Sequence, residues 1–437
     1  MKLTQKHPIF PTKSQEEILW LLSEKCRLIY NFALAERIEN WKQNKKISKK
    51  ERNYIRYVDQ QNQLHQIKQK YPEYKWVYSK VLQMILKKLD ADYKSFKALR
   101  TNGDEKARPP KFKSKYHFTT LCYNQSGFKI QGSIIRFSHS HPSKEVLSFA
   151  IQKNHVPVGK IKQVEIFLDS RNLWFISITH EIKTPEHVDN GLYQAFDLGV
   201  SQTAGVNIHG KMVLFKHRRA DLYWKKKLEE VQRKRDHCVK RSHKWKWYHQ
   251  KLTQMKRKQV NQLKDFQHWL SNQIIKNTKA NTIIIGNLSV KKMAKKKKGT
   301  GNARKTKAQK TLNHSVHNTG FMSRFAEFLT YKAEKMGKRI IRIGENKTTK
   351  ACCKCGKLSK RSLHERVITC DCGNQIDRDL NSSFNIMVKF LEMKKTGVFE
   401  FLLPQPSMTE ESFLLNREWN GFLRHTGLLD LTMEAYS

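Results

Sequence analysis

The spacing of apolar residues predicts a helical region near the N-terminus, followed by a region of short strands. Residues 1–10 alternate weakly between apolar and polar side chains, which favours a strand. Apolar residues then recur every three to four positions in three stretches, as along a helix packed on one face. These helical stretches cover residues 15–41, 50–70 and 78–100. Pro109 and Pro110 end this region, because proline cannot donate the backbone hydrogen bond that a helix requires.

Short runs of β-branched and aromatic residues, separated by glycine and asparagine, predict strands over residues 118–184. The segment Asp169-Ser170-Arg171-Asn172 lies between two such runs and predicts a hairpin turn. Together with the first strand, these runs predict a small β-barrel interrupted by a helical insertion. Pro185 and Gly191 lie in or beside a polar link, so the domain boundary is expected near residues 183–189.

The second half of the chain predicts alternating strands and helices, and so an α/β multidomain protein. Three strands are expected first, and a long helical stretch rich in lysine and arginine follows them. A strand, a helix, a strand and a last helix beginning near Asp379 complete the pattern. This order, βββ-α-β-α-β-α, is that of the RNase H-like nuclease fold. The predicted segments before the last helix are residues 194–200, 205–208, 212–215, 221–277, 282–285, 322–336 and 339–343.

The charge of the chain points to a polyanionic partner. Its 437 residues include 85 Lys and Arg against 38 Asp and Glu, a formal net charge of +47. An enzyme of small metabolites has no need of such self-repulsion, which long nucleic acid would relieve. A membrane role is not expected, since no apolar run approaches about 18 residues and no signal peptide is present. Residues 291–310 hold ten Lys or Arg and no acid, which predicts a flexible basic loop.

Four of the eight cysteines have the spacing of a zinc site. Cys352 and Cys355 form one pair, Cys370 and Cys372 form the other, and a glycine follows each pair. Two such loops present four thiolates in a tetrahedron and leave no position open for catalysis. Cys353 could replace Cys352, but Cys352 gives the usual spacing to Cys355. The cysteines therefore predict one structural Zn²⁺ in a reducing compartment, not a disulfide framework.

Acidic residues near element ends predict a Mg²⁺ site. Asp197 ends an apolar run, and Asp377 and Asp379 flank an arginine before a helical stretch. A buried carboxylate is costly unless it is paired or binds a metal. If Asp197 and Asp379 meet across the sheet, they can hold Mg²⁺ for in-line phosphodiester hydrolysis. The alternatives are that Asp197 is a turn or capping residue, and that Asp377 or Asp379 caps the helix.

Such a site usually has a third carboxylate, and this chain lacks one at the end of the 282–285 strand. Gly286 and Asn287 stand there, and neither ligates a divalent ion strongly. One explanation is a glutamate that reaches the site from elsewhere. Glu327 is preferred as this third catalytic residue, because it faces away from the apolar stripe of its helix, and Glu345 is the weaker candidate. The other explanation is that the site has lost its activity.

Two basic segments are candidates for contacts with nucleic acid. Residues 225–258 mix Lys and Arg with Trp245, Trp247 and Tyr248, which can stack on bases or, as the more expected alternative, pack between helices. Residues 108–115 form an extended basic stretch that can follow a phosphate backbone. Both remain open on the sequence alone.

Six segments along the chain carry a resemblance to a known family. The chain resembles the TnpB family, transposon-encoded RNA-guided nucleases related to type V CRISPR effectors. The resemblance covers nearly all of residues 1–390. The matching segments are CRLIYNFAL at 26–34, PKFKSK at 110–115, FDLGV at 196–200, IGNLSV at 285–290, TTKACCKCG at 348–356 and DRDLNSS at 377–383.

The resemblance implies a domain order. It implies a wedge-type β-barrel with an inserted helical recognition domain, and then a RuvC-like nuclease domain with an inserted zinc ribbon. The acidic region after residue 395 is a C-terminal tail. The corresponding ranges are 1–11 and 116–186 for the barrel, 12–115 for the insertion, 190–348 and 374–395 for the nuclease domain, 349–373 for the ribbon and 396–437 for the tail.

The resemblance also implies partners and cofactors. A guide RNA from the transposon end would pair with double-stranded target DNA beside a short transposon-adjacent motif. Asp197 and Asp379 would bind catalytic Mg²⁺, while the family's glutamate position falls on Gly286. The expected location is the cytoplasm of a prokaryote, in association with the nucleoid.

Three functions remain open from the sequence. The first is an RNA-guided DNA endonuclease with a relocated third carboxylate. The second is a nuclease-deficient RNA-guided DNA-binding protein that represses transcription. The third, a transposase that joins DNA strands, rests on the fold alone.

Overall fold

The structure, a computed structural model, describes residues 1–152, 157, 159–169, 171–287, 315–317, 319–359 and 365–394. Within it, the chain forms two compact units, Met1–Lys183 and Thr184–Ser437. The predicted basic loop at 291–310 and the predicted tail at 396–437 lie outside the described residues. No helix in the described ranges is both long enough and apolar enough to cross a membrane.

The first unit combines three α-helices with two antiparallel sheets. One sheet has the order β1-β7-β6-β2 and the other β3-β4-β5. The strands therefore pair within two separate sheets, and the predicted barrel remains a prediction. One hydrophobic core joins the first and third helices to strands of both sheets. The elements are β1 (Lys2–Pro8), α1 (Lys13–Lys45), α2 (Tyr57–Lys70), a 3₁₀ helix (Pro72–Trp76), α3 (Ser79–Thr101), β2 (Leu121–Asn124), β3 (Phe128–Gln131), β4 (Ile134–Phe137), β5 (Leu147–Ala150), β6 (Lys160–Leu168) and β7 (Trp174–Glu181).

Local signals explain where these helices begin. Thr12 and Gln15 form a reciprocal capping box at the start of α1, which satisfies free backbone amides. The second helix begins at Tyr57, later than the expected residue 50. Asn53 explains the difference, because its backbone amide and carbonyl bond the Asn44 side chain at 2.9 and 2.7 Å instead of continuing a helix.

The second unit is built on a five-stranded mixed sheet with the order β10-β9-β8-β11-β12. The first three strands are antiparallel, and β8, β11 and β12 are parallel. The predicted long helix divides into two around residues 237–242, where Arg241 has a φ of 72°. The elements are β8 (Tyr193–Leu198), β9 (Gln202–Asn207), β10 (Met212–Lys216), α4 (Ala220–Asp236), α5 (His243–Asn277), β11 (Thr282–Gly286), α6 (Arg324–Lys335), β12 (Arg339–Ile343), β13 (Val367–Thr369), β14 (Gln375–Asp377) and α7 (Arg378–Lys394).

Both faces of this sheet are covered, which explains its near-continuous apolar strands. Phe196 of β8 and Ile285 of β11 pack with residues of α5 and α6. Ala195 and Ile284, one position away, pack with residues of α7 on the opposite face. Because side chains alternate along a strand, Asp197 belongs to the face that α7 covers.

Candidate functional site

The carboxyl ends of three parallel strands meet at one edge of the sheet. Phe196 pairs with Ile285, and Gly286 pairs with Ile343 at the end of β12. The Asn287 amide then donates to the Ile343 carbonyl at 2.7 Å. Residues 197, 286 and 345 therefore follow one another across this edge, which is where open α/β sheets place their sites.

The start of α7 contributes two aspartates with different roles. Asp377 Oδ1 accepts hydrogen bonds from the amides of Asp379 and Leu380 at 2.8 and 3.1 Å. Asp377 is therefore the helix cap, one of the alternatives left open by the sequence. Asp379 lies in the first helical turn, and its Oδ2 accepts from Gln202 Nε2 at 2.8 Å.

Glu345 fills the space left by the missing side chain of Gly286. A Cβ atom built on Gly286 would lie 1.3 Å from Glu345 Oε1 and 2.1 Å from its Cδ. The Glu345 carboxylate therefore occupies the volume next to the glycine, at the end of β11. Its Oε1 is buried and has no hydrogen-bond partner among the described residues, which is costly for a carboxylate without a cation.

The charges of Glu345 and Asp379 act on Asp197, which places the three acidic groups in one electrostatic environment. Burial raises the pKa of Asp197 well above its usual value, and the charges of Glu345 and Asp379 raise it further. Burial likewise raises the pKa of Glu345 to about 7, although the Lys389 ammonium opposes the rise. Three acidic groups thus share a poorly solvated region where their charges repel, and a divalent cation would relieve that repulsion.

Glu327 does not take the place expected for it. It lies in the first turn of α6 with an exposed side chain, and its charge acts on Arg324. The charges that raise the pKa of Asp197 come from Glu345 and Asp379. The geometry thus favours Glu345, the weaker sequence candidate, over Glu327. The parallel pairing of β11 with β12 was the missing signal, because adjacent parallel strands end at one edge.

Helix α7 holds the backbone that carries Glu345. Thr348 donates from its amide and its hydroxyl to the Glu345 carbonyl at 3.3 and 3.0 Å. Asn385 Nδ2 in turn donates to the Thr348 and Ala351 carbonyls at 2.8 and 2.9 Å. Asn381 Nδ2 bonds the same two carbonyls at 3.2 and 2.8 Å. The helix that begins with Asp379 therefore also positions the segment of Glu345.

The four predicted zinc ligands form one cluster. The sulfur atoms of Cys352, Cys355, Cys370 and Cys372 lie within 4.8 Å of one another. Cys352 and Cys372 are 3.7 Å apart, and Cys355 and Cys370 are 3.6 Å apart. Tetrahedral zinc with Zn–S bonds of about 2.3 Å separates its sulfurs by about 3.8 Å, so the cluster can hold a zinc ion.

The carboxylates are spread more widely than the cysteines. Among the described residues, the cysteine group is the one set of three or more His, Cys, Asp or Glu with ligand atoms within 4.8 Å of one another. The three carboxylates are therefore not all that close together.

Cys353 stands apart from the cysteine cluster. Burial raises the pKa of its thiol to about 12, and its side chain belongs to the apolar core beside α7. Its backbone amide donates to Asn381 Oδ1 at 2.8 Å. By contrast, the pKa of Cys352 is lowered to about 6. Burial acts to raise this pKa, but hydrogen bonds from the Cys355 and Lys354 amides and from Asn374 outweigh burial. The four-sulfur group contains Cys352 and not Cys353, and Cys352 is therefore the better metal ligand.

The two basic segments differ in how they are held. On α5, Trp245 stacks on His249 with ring centroids 4.7 Å apart, whereas Trp247 is 52% exposed, so the helix-packing alternative does not account for Trp247. In the other segment, Lys113 is anchored on α1 by Asn31, which bonds its amide and its carbonyl at 2.8 and 2.9 Å. The neighbouring Phe112 remains 57% exposed.

Family models match in three places, which together span much of the chain. They are a helix-turn-helix domain of the OrfB_IS605 type at residues 1–46, the OrfB_IS605 probable transposase at residues 176–297 and the Cas12f1-like TNB domain at residues 323–386. The last of these spans the four cysteines and Glu345.

Whole-length relatives extend the comparison. A putative RNA-guided DNA endonuclease InsQ of Escherichia coli (strain K12) is 27% identical over 392 residues, 87% of this chain and 90% of the relative. A putative RNA-guided DNA endonuclease of Streptomyces pristinaespiralis is 24% identical over 404 residues, 91% of each chain.

Among solved structures, a Cas12f1 chain in a complex with sgRNA and target DNA is similar, with a TM-score of 0.54 and 14% identity, covering 86% of this chain and 83% of that one. The chain therefore has a mixed α/β fold similar to that of Cas12 effectors.

Proposed function

Since this chain belongs to the TnpB family, we propose that it is an RNA-guided DNA endonuclease whose third metal-binding carboxylate is Glu345. Guide RNA transcribed from a transposon end would direct it to double-stranded DNA beside a short adjacent motif. The RuvC-like nuclease site would be the edge where β8, β11 and β12 end. The net charge of +47 suits two nucleic-acid partners.

The proposal rests on the Glu345 carboxylate, which fills the space beside Gly286. A chain that had lost its nuclease activity has no need to bury a glutamate close to Asp197. Yet Glu345 is buried there, with Oε1 unpartnered among the described residues, and its charge raises the pKa of Asp197. Keeping such repulsion is unfavourable in a protein that binds no cation, so the arrangement supports a working metal site.

The donor set fits magnesium, which prefers oxygen ligands and carboxylates. Asp197, Glu345 and Asp379 would hold the ions, and Gln202 would orient the Asp379 carboxylate through its 2.8 Å hydrogen bond. Bound magnesium would activate water and stabilise the charge that develops in phosphodiester hydrolysis. The chain's own contribution is to hold these oxygens at the end of the sheet, with Asp377 capping the helix that carries Asp379. A structural zinc on the four cysteines would fix the segment beyond Glu345.

The test uses the full chain with its copurified RNA, sequenced to identify the guide, and a matching DNA target in Mg²⁺. Asp197→Ala is expected to abolish cleavage, and Glu345→Gln to reduce it about 100-fold or more, because a charged ligand of the ions that stabilise the transition state is lost. Glu327→Gln is the matched control and is expected to cleave normally. Loss of cleavage in Glu327→Gln but not in Glu345→Gln would reverse the assignment.

The second candidate, a nuclease-deficient RNA-guided repressor, rests on Gly286, which stands where the family carries glutamate. It predicts guide-dependent DNA binding without cleavage in Mg²⁺ or Mn²⁺. That outcome, with guide RNA verified on the protein, would reject the nuclease and retain the binding function.

A further inference from the structure

The helical part of the first unit contains a cavity that the nuclease site does not use. It has a volume of about 920 Å³ and lies between α1, α2, α3 and the segment near Pro109. Five aromatic side chains contribute to its lining, a composition that suits a flat ring. They are Trp41, Tyr54, Tyr57, Tyr93 and Phe96.

Positive charge surrounds this aromatic lining. Arg37, Arg56, Lys94 and Lys97 line the cavity, and Asp90 is the one acid among the lining residues. Asp90 is already paired, with Arg37 at 3.2 Å and with Lys94 at 3.0 Å. Lys97 lies 5.9 Å from the centroid of the Tyr54 ring. The lining therefore carries a net positive charge next to an apolar, aromatic surface, which complements the phosphates and bases of nucleic acid.

Arg37 points to a ligand in the cavity. Its side chain is only 9% exposed, and its Nε donates to Gln60 Oε1 at 2.9 Å. Its Nη1 donates to Asp90 Oδ1 at 3.2 Å. Its Nη2 is buried and has no hydrogen-bond partner within the described part of the chain. A fixed guanidinium with a buried free donor is costly, and a carbonyl or ring nitrogen of a bound base would satisfy it.

We propose that this cavity binds an unpaired nucleobase of a single-stranded nucleic acid. The base stacks among Trp41, Tyr54 and Tyr93 and accepts a hydrogen bond from Arg37 Nη2, while Lys94 and Lys97 contact the flanking phosphates. The strand leaves along the basic segment that follows Pro109. The inference rests on the proposed function, since guide RNA and displaced target DNA both supply unpaired bases of this chemistry.

The experiment measures binding of the full chain to short single-stranded oligonucleotides, one of RNA and one of DNA, each with a single 2-aminopurine. Stacking quenches 2-aminopurine, and anisotropy gives the affinity. Trp41→Ala and Tyr54→Ala are expected to weaken binding about five- to 150-fold each at every salt concentration. Both should also remove the quenching. Phe10→Ala is the matched control, because Phe10 is 88% exposed outside the cavity.

Salt dependence separates the stacking role from the phosphate role. Lys97→Gln is expected to lower the slope of log affinity against log salt by about 0.7, while Trp41→Ala leaves the slope unchanged. Arg37→Lys keeps the charge but loses the free donor, and its folding is checked by its melting temperature. The oligonucleotide that shows the larger loss, RNA or DNA, identifies the source of the base.

The outcomes are distinguishable. If the wild-type chain binds neither oligonucleotide, this inference fails, whereas the proposed function is decided by the cleavage assay with the copurified guide. If the wild type binds and quenches, but Trp41→Ala and Tyr54→Ala behave like Phe10→Ala, the cavity is not the base site while the nuclease proposal stands.

Discussion

A methyl group added at Gly286 is expected to disable the nuclease without unfolding it. The added Cβ would lie 1.3 Å from Glu345 Oε1 and 2.5 Å from its Cγ. An ordinary contact begins near 3.4 Å, so the Glu345 carboxylate must move by about 2 Å. The backbone at Gly286 is held by pairing with β12, and the glutamate side chain therefore gives way.

The size of the effect follows from that displacement. A misplacement of about 1 Å at a reacting centre can lower the rate about 100-fold. Gly286→Ala is therefore expected to lower the turnover of guide-matched DNA at least about 100-fold. Moving Glu345 away from Asp197 also relieves repulsion between two buried acids, so the melting temperature is not expected to fall.

The assay compares Gly286, the last residue of β11, with Gly344, the residue that follows the neighbouring strand β12. Among the described residues other than its two chain neighbours, none lies within 4 Å of a Cβ added at Gly344, so Gly344→Ala makes the same chemical change in open space. Cleavage rate, guide-RNA content and melting temperature are measured for both variants. The reasoning is refuted if Gly286→Ala cleaves at the wild-type rate, or if both variants lose activity equally. In addition, Gly286→Glu combined with Glu345→Ala is expected to recover part of the activity that Glu345→Ala loses.

Three further outcomes are expected. Elemental analysis should find one zinc per chain in Cys353→Ser and none in Cys352→Ser, because of these two cysteines only Cys352 lies in the four-sulfur cluster. Equal zinc loss in the two variants would contradict the ligand set. Asn385→Ala should lower the cleavage rate more than it lowers DNA affinity, since its amide bonds the Thr348 and Ala351 carbonyls, and Asn385→Gln should restore less than wild type. Burial lowers the pKa of His217 to about 3, so the folded state resists protonation and the free energy of unfolding should fall as pH drops below about 6.5, by roughly 2.5 kcal/mol between pH 7 and pH 4.5. Denaturant titrations at both pH values check this, and a His217→Gln variant with the same pH dependence would contradict it.

Much of this protein follows from local patterns in its sequence. The strand and helix order of the second unit, the cysteine pairs and the aspartates at positions 197 and 379 each depend on a short stretch of chain. The fully buried run of β8 and the cap before α7 each extend over only a few residues. Such signals are visible without knowing what lies across the sheet.

The assignment of Glu345 as the proposed third carboxylate depends on tertiary structure. The apolar stripe of its helix favoured Glu327, whereas no local pattern in the sequence singled out Glu345. Only the parallel pairing of β11 with β12 brings Glu345 into the space beside Gly286. The same is true of the free donor of Arg37, which exists because α1, α2 and α3 close around it. Sequence determined which side chains were available, whereas long-range packing decided which of them share a poorly solvated site, because burial and repulsion arise only between groups brought together by the fold.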